Sequence, residues 1–154
     1  MSSIWTHVGS ACVADERSAG KYEASAARFR HKGSNTGSIT ARCNVTNPLD
    51  NGGNPNWDLL EVVYFKQVET SRVIVQLVRV SNSTGGVYTI ETFDTDDPSY
   101  DNTSPTAQTR NKFFDYTFDF EKFAYFIEIK VRRESNTEED IPAVSIVRLK
   151  QGFG

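Results

Sequence analysis

Gly37-Ser38-Ile39-Thr40-Ala41-Arg42-Cys43-Asn44-Val45 sets Ile39, Ala41, Cys43 and Val45 on one side of an extended chain and Ser38, Thr40, Arg42 and Asn44 on the other. Strand side chains point alternately to two faces, so this run reads as a strand with a core face and a water face. The same period of two recurs downstream. Phe114, Tyr116, Phe118 and Phe120 alternate with Asp115, Thr117 and Asp119, while Tyr125, Ile127, Ile129 and Val131 alternate with Glu128, Lys130 and Arg132. These two runs read as long antiparallel partners joined near Glu121 and Lys122, where the phase breaks. Ile4 to Val8, Lys21 to Phe29, Leu59 to Phe65, Arg72 to Val80, Val87 to Phe93, Gln108 to Phe113 and Val144 to Leu149 read as further strands. No window carries a convincing helical period.

The connectors have turn chemistry. Gly33 to Gly37 and Ser81 to Gly86 supply the Gly, Asn and Ser that positive-φ positions need, and both read as hairpin turns. Asn47 to Asn56 and Asp94 to Thr106 are the long irregular connections. Short strands in this number with two long connections suit an all-β, two-sheet antiparallel β-sandwich of jelly-roll or Greek-key type better than an up-and-down barrel. The 154 residues match one domain, so residues 1–154 are expected to form a single β-sandwich domain.

Composition narrows the classes. With 38% hydrophobic and 24% charged residues the chain is globular rather than disordered. A net charge of −3 gives no positive field to collect phosphates, so nucleic acid is not an expected partner. No run approaches the roughly 18 apolar residues of a spanning helix, and no membrane span is expected. Met1 to Ser10 lacks the basic start and apolar run of a signal peptide. The expected location is extracellular or on a particle surface. Cys12 and Cys43 allow one disulfide or two buried thiols; a bridge would be worth about 3.5–4 kcal/mol by loop closure.

Several strands are apolar on both faces. Val73, Val75 and Leu77 oppose Ile74, Val78 and Val80; Leu60, Val62 and Tyr64 oppose Leu59, Val63 and Phe65; Phe126 points away from Ile127 and Ile129. A sandwich strand needs one apolar face only. Leaving four or five such side chains in water forgoes roughly 6–15 kcal/mol of burial. Ile74, Val78, Val80, Val63, Phe65 and Phe126 are therefore the expected self-association surface, unless the long connectors fold over them.

Catalytic patterns are missing. His7 and His31 stand without a carboxylate three or four residues on, and no nucleophile elbow, zinc-protease, dinucleotide or phosphate-loop motif occurs. Asp94, Asp96, Asp97 and Asp101 are dense enough in oxygen to hold a structural Ca²⁺, although the segment fails the EF-hand frame. No other cofactor is expected. Trp57, Tyr88 and Tyr100 are the candidate sugar-stacking aromatics. The leading expectation is a non-catalytic structural or interaction protein that self-associates as a coat, decoration, sheath or fibre subunit. The alternative is a carbohydrate-binding module with a glycan partner.

Overall fold

The computed structural model describes residues 3–100 and 102–152. Its strands are β1 (Trp5–Val8), β2 (Val13–Ala14), β3 (Tyr22–Ser25), β4 (Arg28–His31), β5 (Gly37–Val45), β6 (Leu59–Phe65), β7 (Arg72–Ser81), β8 (Val87–Asp94), β9 (Gln108–Phe113), β10 (Phe123–Arg133) and β11 (Ala143–Lys150). One sheet is six-stranded, in the order β3-β4-β11-β6-β9 with β1 also on β11; the other is five-stranded, in the order β2-β5-β10-β7-β8. Every pairing is antiparallel. The fold is the expected two-sheet β-sandwich.

Period-two patterning places the core between the sheets. Ile39, Ala41, Cys43 and Val45 of β5, Val73, Val75 and Leu77 of β7 and Ile127, Ile129 and Val131 of β10 face Leu60, Val62 and Tyr64 of β6 and Val144, Val147 and Leu149 of β11. All of these are buried. The Cys12–Cys43 disulfide closes the edge of this core, with Cα atoms 4.7 Å apart. Cys12 follows the short turn Gly9–Ala11, which carries the chain from β1 in one sheet to β2 in the other. Gly9 is required there, because a Cβ would strike the Val144 carbonyl.

Three expectations are corrected. Residues 114–120 are not a strand, and β10 pairs with β5 and β7 instead. The segment is extended, which produces the alternation, yet its backbone is satisfied outside any ladder: Phe114 N–H donates to Asp58 O, Asp119 N–H to the Tyr125 hydroxyl and Phe120 N–H to Asn54 Oδ1. Lys21 to Phe29 is not one strand but the β3–β4 hairpin, turning on Ala26 and Ala27 at φ +50° and +68°. Two left-handed residues give a type I′-like turn, and alanines there carry none of the usual Asn-Gly signal. Gly33 to Gly37 is not a hairpin turn but a crossing from β4 to the opposite sheet. Buried Arg133 pins it, donating to the carbonyls of Gly33 (2.6 Å) and Asn35 (3.3 Å), and to that of Thr137 (3.0 Å).

The outer faces are clasped by charge. Glu61, at 6% exposure, accepts from Arg148 Nη1 (2.6 Å) and Lys150 Nζ (2.7 Å). Burial pushes its carboxyl up, but the Lys150 and Arg148 hydrogen bonds outweigh this and hold it below the ordinary carboxylate range. A depressed folded-state pKa stabilises the fold above the unfolded value and is lost as pH falls through the folded one. Glu61→Gln should therefore cost about 1–3 kcal/mol at neutral pH. In acid titrations followed by denaturant midpoint, its deficit should shrink below pH 4.5. The Cys12→Ser/Cys43→Ser pair should lose about 3–4 kcal/mol, or roughly 6–15 °C in calorimetric Tm.

Candidate functional site

The register of the five-stranded sheet sets Tyr125 of β10 opposite Arg79 of β7, and Arg79 opposite Tyr88 of β8. Opposed residues share a face, so the three form a row on the inner face running from the core to the free edge at β8. Tyr125 is 3% exposed and Tyr88 57%. The aromatic segment 114–120 covers the inner end of this row. Phe118 packs on Tyr125 with ring centroids 4.9 Å apart and Phe120 does so at 4.8 Å, while Trp57 meets Phe118 edge-on at 5.0 Å. Tyr88 stays open beyond that cover.

Arg79 lies where covered and open parts meet. Its guanidinium carbon is 4.4 Å from the Phe123 ring centre, 4.7 Å from that of Tyr88 and 5.7 Å from that of Tyr116. Attraction between a cation and aromatic faces fixes it in this collar. Its Nη1 donates to the Tyr116 hydroxyl at 3.3 Å, which lies 3.0 Å from the Tyr125 hydroxyl. Burial, and then the Tyr116 hydroxyl, push the Tyr125 phenol far above its usual range. Beside Phe123 a hollow of about 360 Å³ is lined by Ser81, Asn82, Ser83, Glu121 and Lys122. Asn82 holds it together, its backbone N–H donating to Lys122 O and its amide to Glu121 O. An open tyrosine ring, two half-buried aromatic rings, a fixed guanidinium and a hydroxyl- and amide-lined hollow are the parts that recognise a flat, hydroxyl-rich ligand.

The residues singled out from sequence fare differently. Trp57 is 2% exposed: Phe118 and Phe120 crowd its ring and its Nε1 donates to Ser3 O. It is a core anchor and has no free face for a sugar. Tyr100 packs on Phe93, near the opposite end of β8 from Tyr88, so the three expected aromatics do not converge. Arg79, Tyr116 and Phe123 were not foreseen. The signal available was Arg79 at an inward position of β7, where Val73, Val75 and Leu77 lead.

Part of the acidic turn is paired from within. Arg72 donates to both carboxylate oxygens of Asp94, at 3.0 and 2.6 Å, and lies 3.2 Å from Asp96. The Arg72 hydrogen bond holds the Asp94 carboxyl below the usual range. Asp97 accepts from Ser99 N–H, and Asp101 lies outside the described residues. Arg72 thus engages two of the four carboxylates expected at a cation site. Among the described residues one His/Cys/acid group has metal-like spacing, His7, Cys12 and Cys43, and its two sulfurs are spent in the disulfide. His7 stacks on Trp5, and buried His31 donates from Nε2 to Gly37 O.

The expected self-association residues divide between the two outer faces of the sandwich. Ile74, Val78, Val80 and Phe126 lie outward on the five-stranded sheet, Val63 and Phe65 outward on the six-stranded one. They are not one patch. Val78 is 3% exposed within the single chain, and the others are half-buried. The Arg28 guanidinium sits 4.0 Å over Phe65, and Lys130 stands beside Ile74. Long charged side chains of this kind cover apolar neighbours with their stems.

No protein-family model matches the chain, and no curated protein matches it in sequence. Solved structures do match in shape. A xylan-binding module, CBM15, superposes with a TM-score of 0.51 at 10% identity, over 99% of this chain and 98% of that one. A family two carbohydrate esterase from Cellvibrio japonicus gives 0.47 at 12% identity over 98% of this chain, which spans only 34% of the esterase chain. A family 11 carbohydrate-binding module from Clostridium thermocellum, in complex with a β-1,3-1,4-mixed-linked tetrasaccharide, gives 0.43 at 12% identity, over 96% and 82% of the two chains. At such identities the likeness is one of fold: over nearly its whole length this chain has the architecture of the xylan-binding module.

Proposed function

We propose that the protein is a non-catalytic carbohydrate-binding module that lays a pyranose ring on Tyr88 and fixes it with polar groups around Arg79. The observation that carries this reading is open Tyr88, 57% exposed, linked through the Arg79 guanidinium to the half-buried rings of Tyr116 and Phe123. A lone exposed tyrosine is ordinary; one aligned with a preorganised guanidinium and a polar hollow is a platform. Likeness of fold to a xylan-binding module along almost the full chain supports it. Disulfides persist outside reducing compartments, so the Cys12–Cys43 bridge supports an extracellular or particle-surface location. Calorimetric titration with xylan and mixed-linked glucan oligosaccharides should show binding. Tyr88→Ala should weaken it about tenfold, the scale of one lost stacking contact, without change in circular dichroism. No heat with any glycan would end this reading.

A second reading, self-association, rests on a different observation. Ala124, Val80 and Val87 form an apolar cross-strand row on the outer face of the five-stranded sheet, with Val87 66% exposed, next to the free edge of β8. An open edge beside exposed apolar side chains is a template for a second chain. If this surface assembles, light scattering should give a mass above the 17.3 kDa of one chain, and Val87→Lys should return it to that value. A wild-type monomer at high concentration would dismiss assembly.

A further inference from the structure

The charge at the centre of the aromatic collar points to what kind of sugar the site takes. Neutral pyranoses need ring faces and neutral hydrogen-bonding groups. A guanidinium held among rings can serve a sugar hydroxyl with a single bond, but its charge and its paired N–H groups are matched together only by a carboxylate. We propose that the ligand is an acidic polysaccharide, with the carboxylate of a uronic acid unit accepting from the free edge of Arg79. This rests on the sugar-binding reading above and names the chemical class it takes.

Three observations converge on it. Arginine has five N–H donors, and Arg79 makes one hydrogen bond, from Nη1 to the Tyr116 hydroxyl. Its nitrogens are not among the buried atoms left without a partner, so the remaining donors reach solvent. Among the described residues no carboxylate lies within ion-pair distance of it; two of the acids nearby are engaged elsewhere, and Glu121 lines the adjoining hollow. Glu91 pairs with Lys112 at 3.2 Å, and Asp119 accepts from the backbone N–H groups of Glu121 and Lys122. The guanidinium is also held in place. Three rings and a hydroxyl fix its plane, so little side-chain entropy remains to be lost when a carboxylate docks. A planar fork with free parallel N–H groups matches a carboxylate in a way no ammonium does.

The arrangement fits the shape of a uronate. Its ring presents a C–H face, as any pyranose does, and carries the carboxylate at the rim. The guanidinium lies against the Tyr88 ring while much of that ring stays open to water. A sugar on that ring lies within reach of the guanidinium, whose carbon is 4.7 Å from the ring centre. Exposed Lys122, at the mouth of the adjoining hollow, stands 4.0 Å from Asp119 and beside Glu121, so the hollow adds no net positive charge and the carboxylate is left to Arg79. The net charge of −3 opposes a polyanion at long range, so recognition has to be local rather than steered.

The test changes the ligand before the protein. Polygalacturonate is compared with its fully methyl-esterified form, and glucuronoxylan with the same polymer after carboxyl reduction, by affinity electrophoresis and calorimetry on the wild-type chain. Each pair keeps the sugar rings and removes the charge. Binding should fall about tenfold or more on neutralisation, the scale of one hydrogen-bonded charge pair, and should weaken between about 50 and about 500 mM salt. Arg79→Gln should bring the charged polymers down to the level of their neutral forms, while Arg79→Lys should keep the salt dependence at lower affinity. Equal binding of both members of each pair, still abolished by Tyr88→Ala, would overturn the acidic-sugar inference and leave the module reading intact. Failure to bind any of the four polymers would overturn the acidic-sugar inference, and failure with xylan and mixed-linked glucan oligosaccharides as well would remove both.

Discussion

Everything at the functional end follows from one constraint: the inner face of the five-stranded sheet has to be kept from water where β10 and β7 enter the core. Segment 114–120 meets that demand by laying Phe118 and Phe120 on Tyr125 and against Trp57. The cover stops before β8. At its margin the row that begins with buried Tyr125 turns into Arg79 and then into open Tyr88. The same row is core at one end and open at the other, which gives exposed Tyr88 a rigid base without extra structure.

Much of the architecture was legible because alternation reports burial directly. β6 and β9 match the expected runs end to end, and the inward sets of β5, β7 and β10 are the core sets read from sequence. Alternation does not report hydrogen bonding, which is why the extended 114–120 segment looked like a strand. Nor does it report which sheet a strand joins, so the crossing at residues 33–37 passed for a hairpin. The Ala26-Ala27 turn was invisible because its left-handed residues are not the types that favour such angles.

The site was only half legible. Tyr88 was singled out for its chemistry, but Trp57 was chosen for its type and proves to be core. Arg79 and Tyr116 come together from β7 and from the segment after β9, a juxtaposition that no local spacing encodes. The apolar outward residues were read as one surface because sequence cannot say that Val63 and Phe65 lie on a different sheet from Ile74 and Phe126. Nor can it foresee a clasp such as Glu61 between Arg148 and Lys150, whose partners are far apart in the chain.

The Arg133 clasp bears on how the chain reaches its final form. Its guanidinium binds carbonyls 100 and 98 positions earlier in the chain. The loop that passes β4 into β5 is thus ordered by a residue that leaves the ribosome long after it. Contacts of such long separation are slow to close. The early strands must wait, with their inter-sheet passage unlatched, until most of the polypeptide has been made; maturation of this domain is then set by its latest-synthesised third rather than its first.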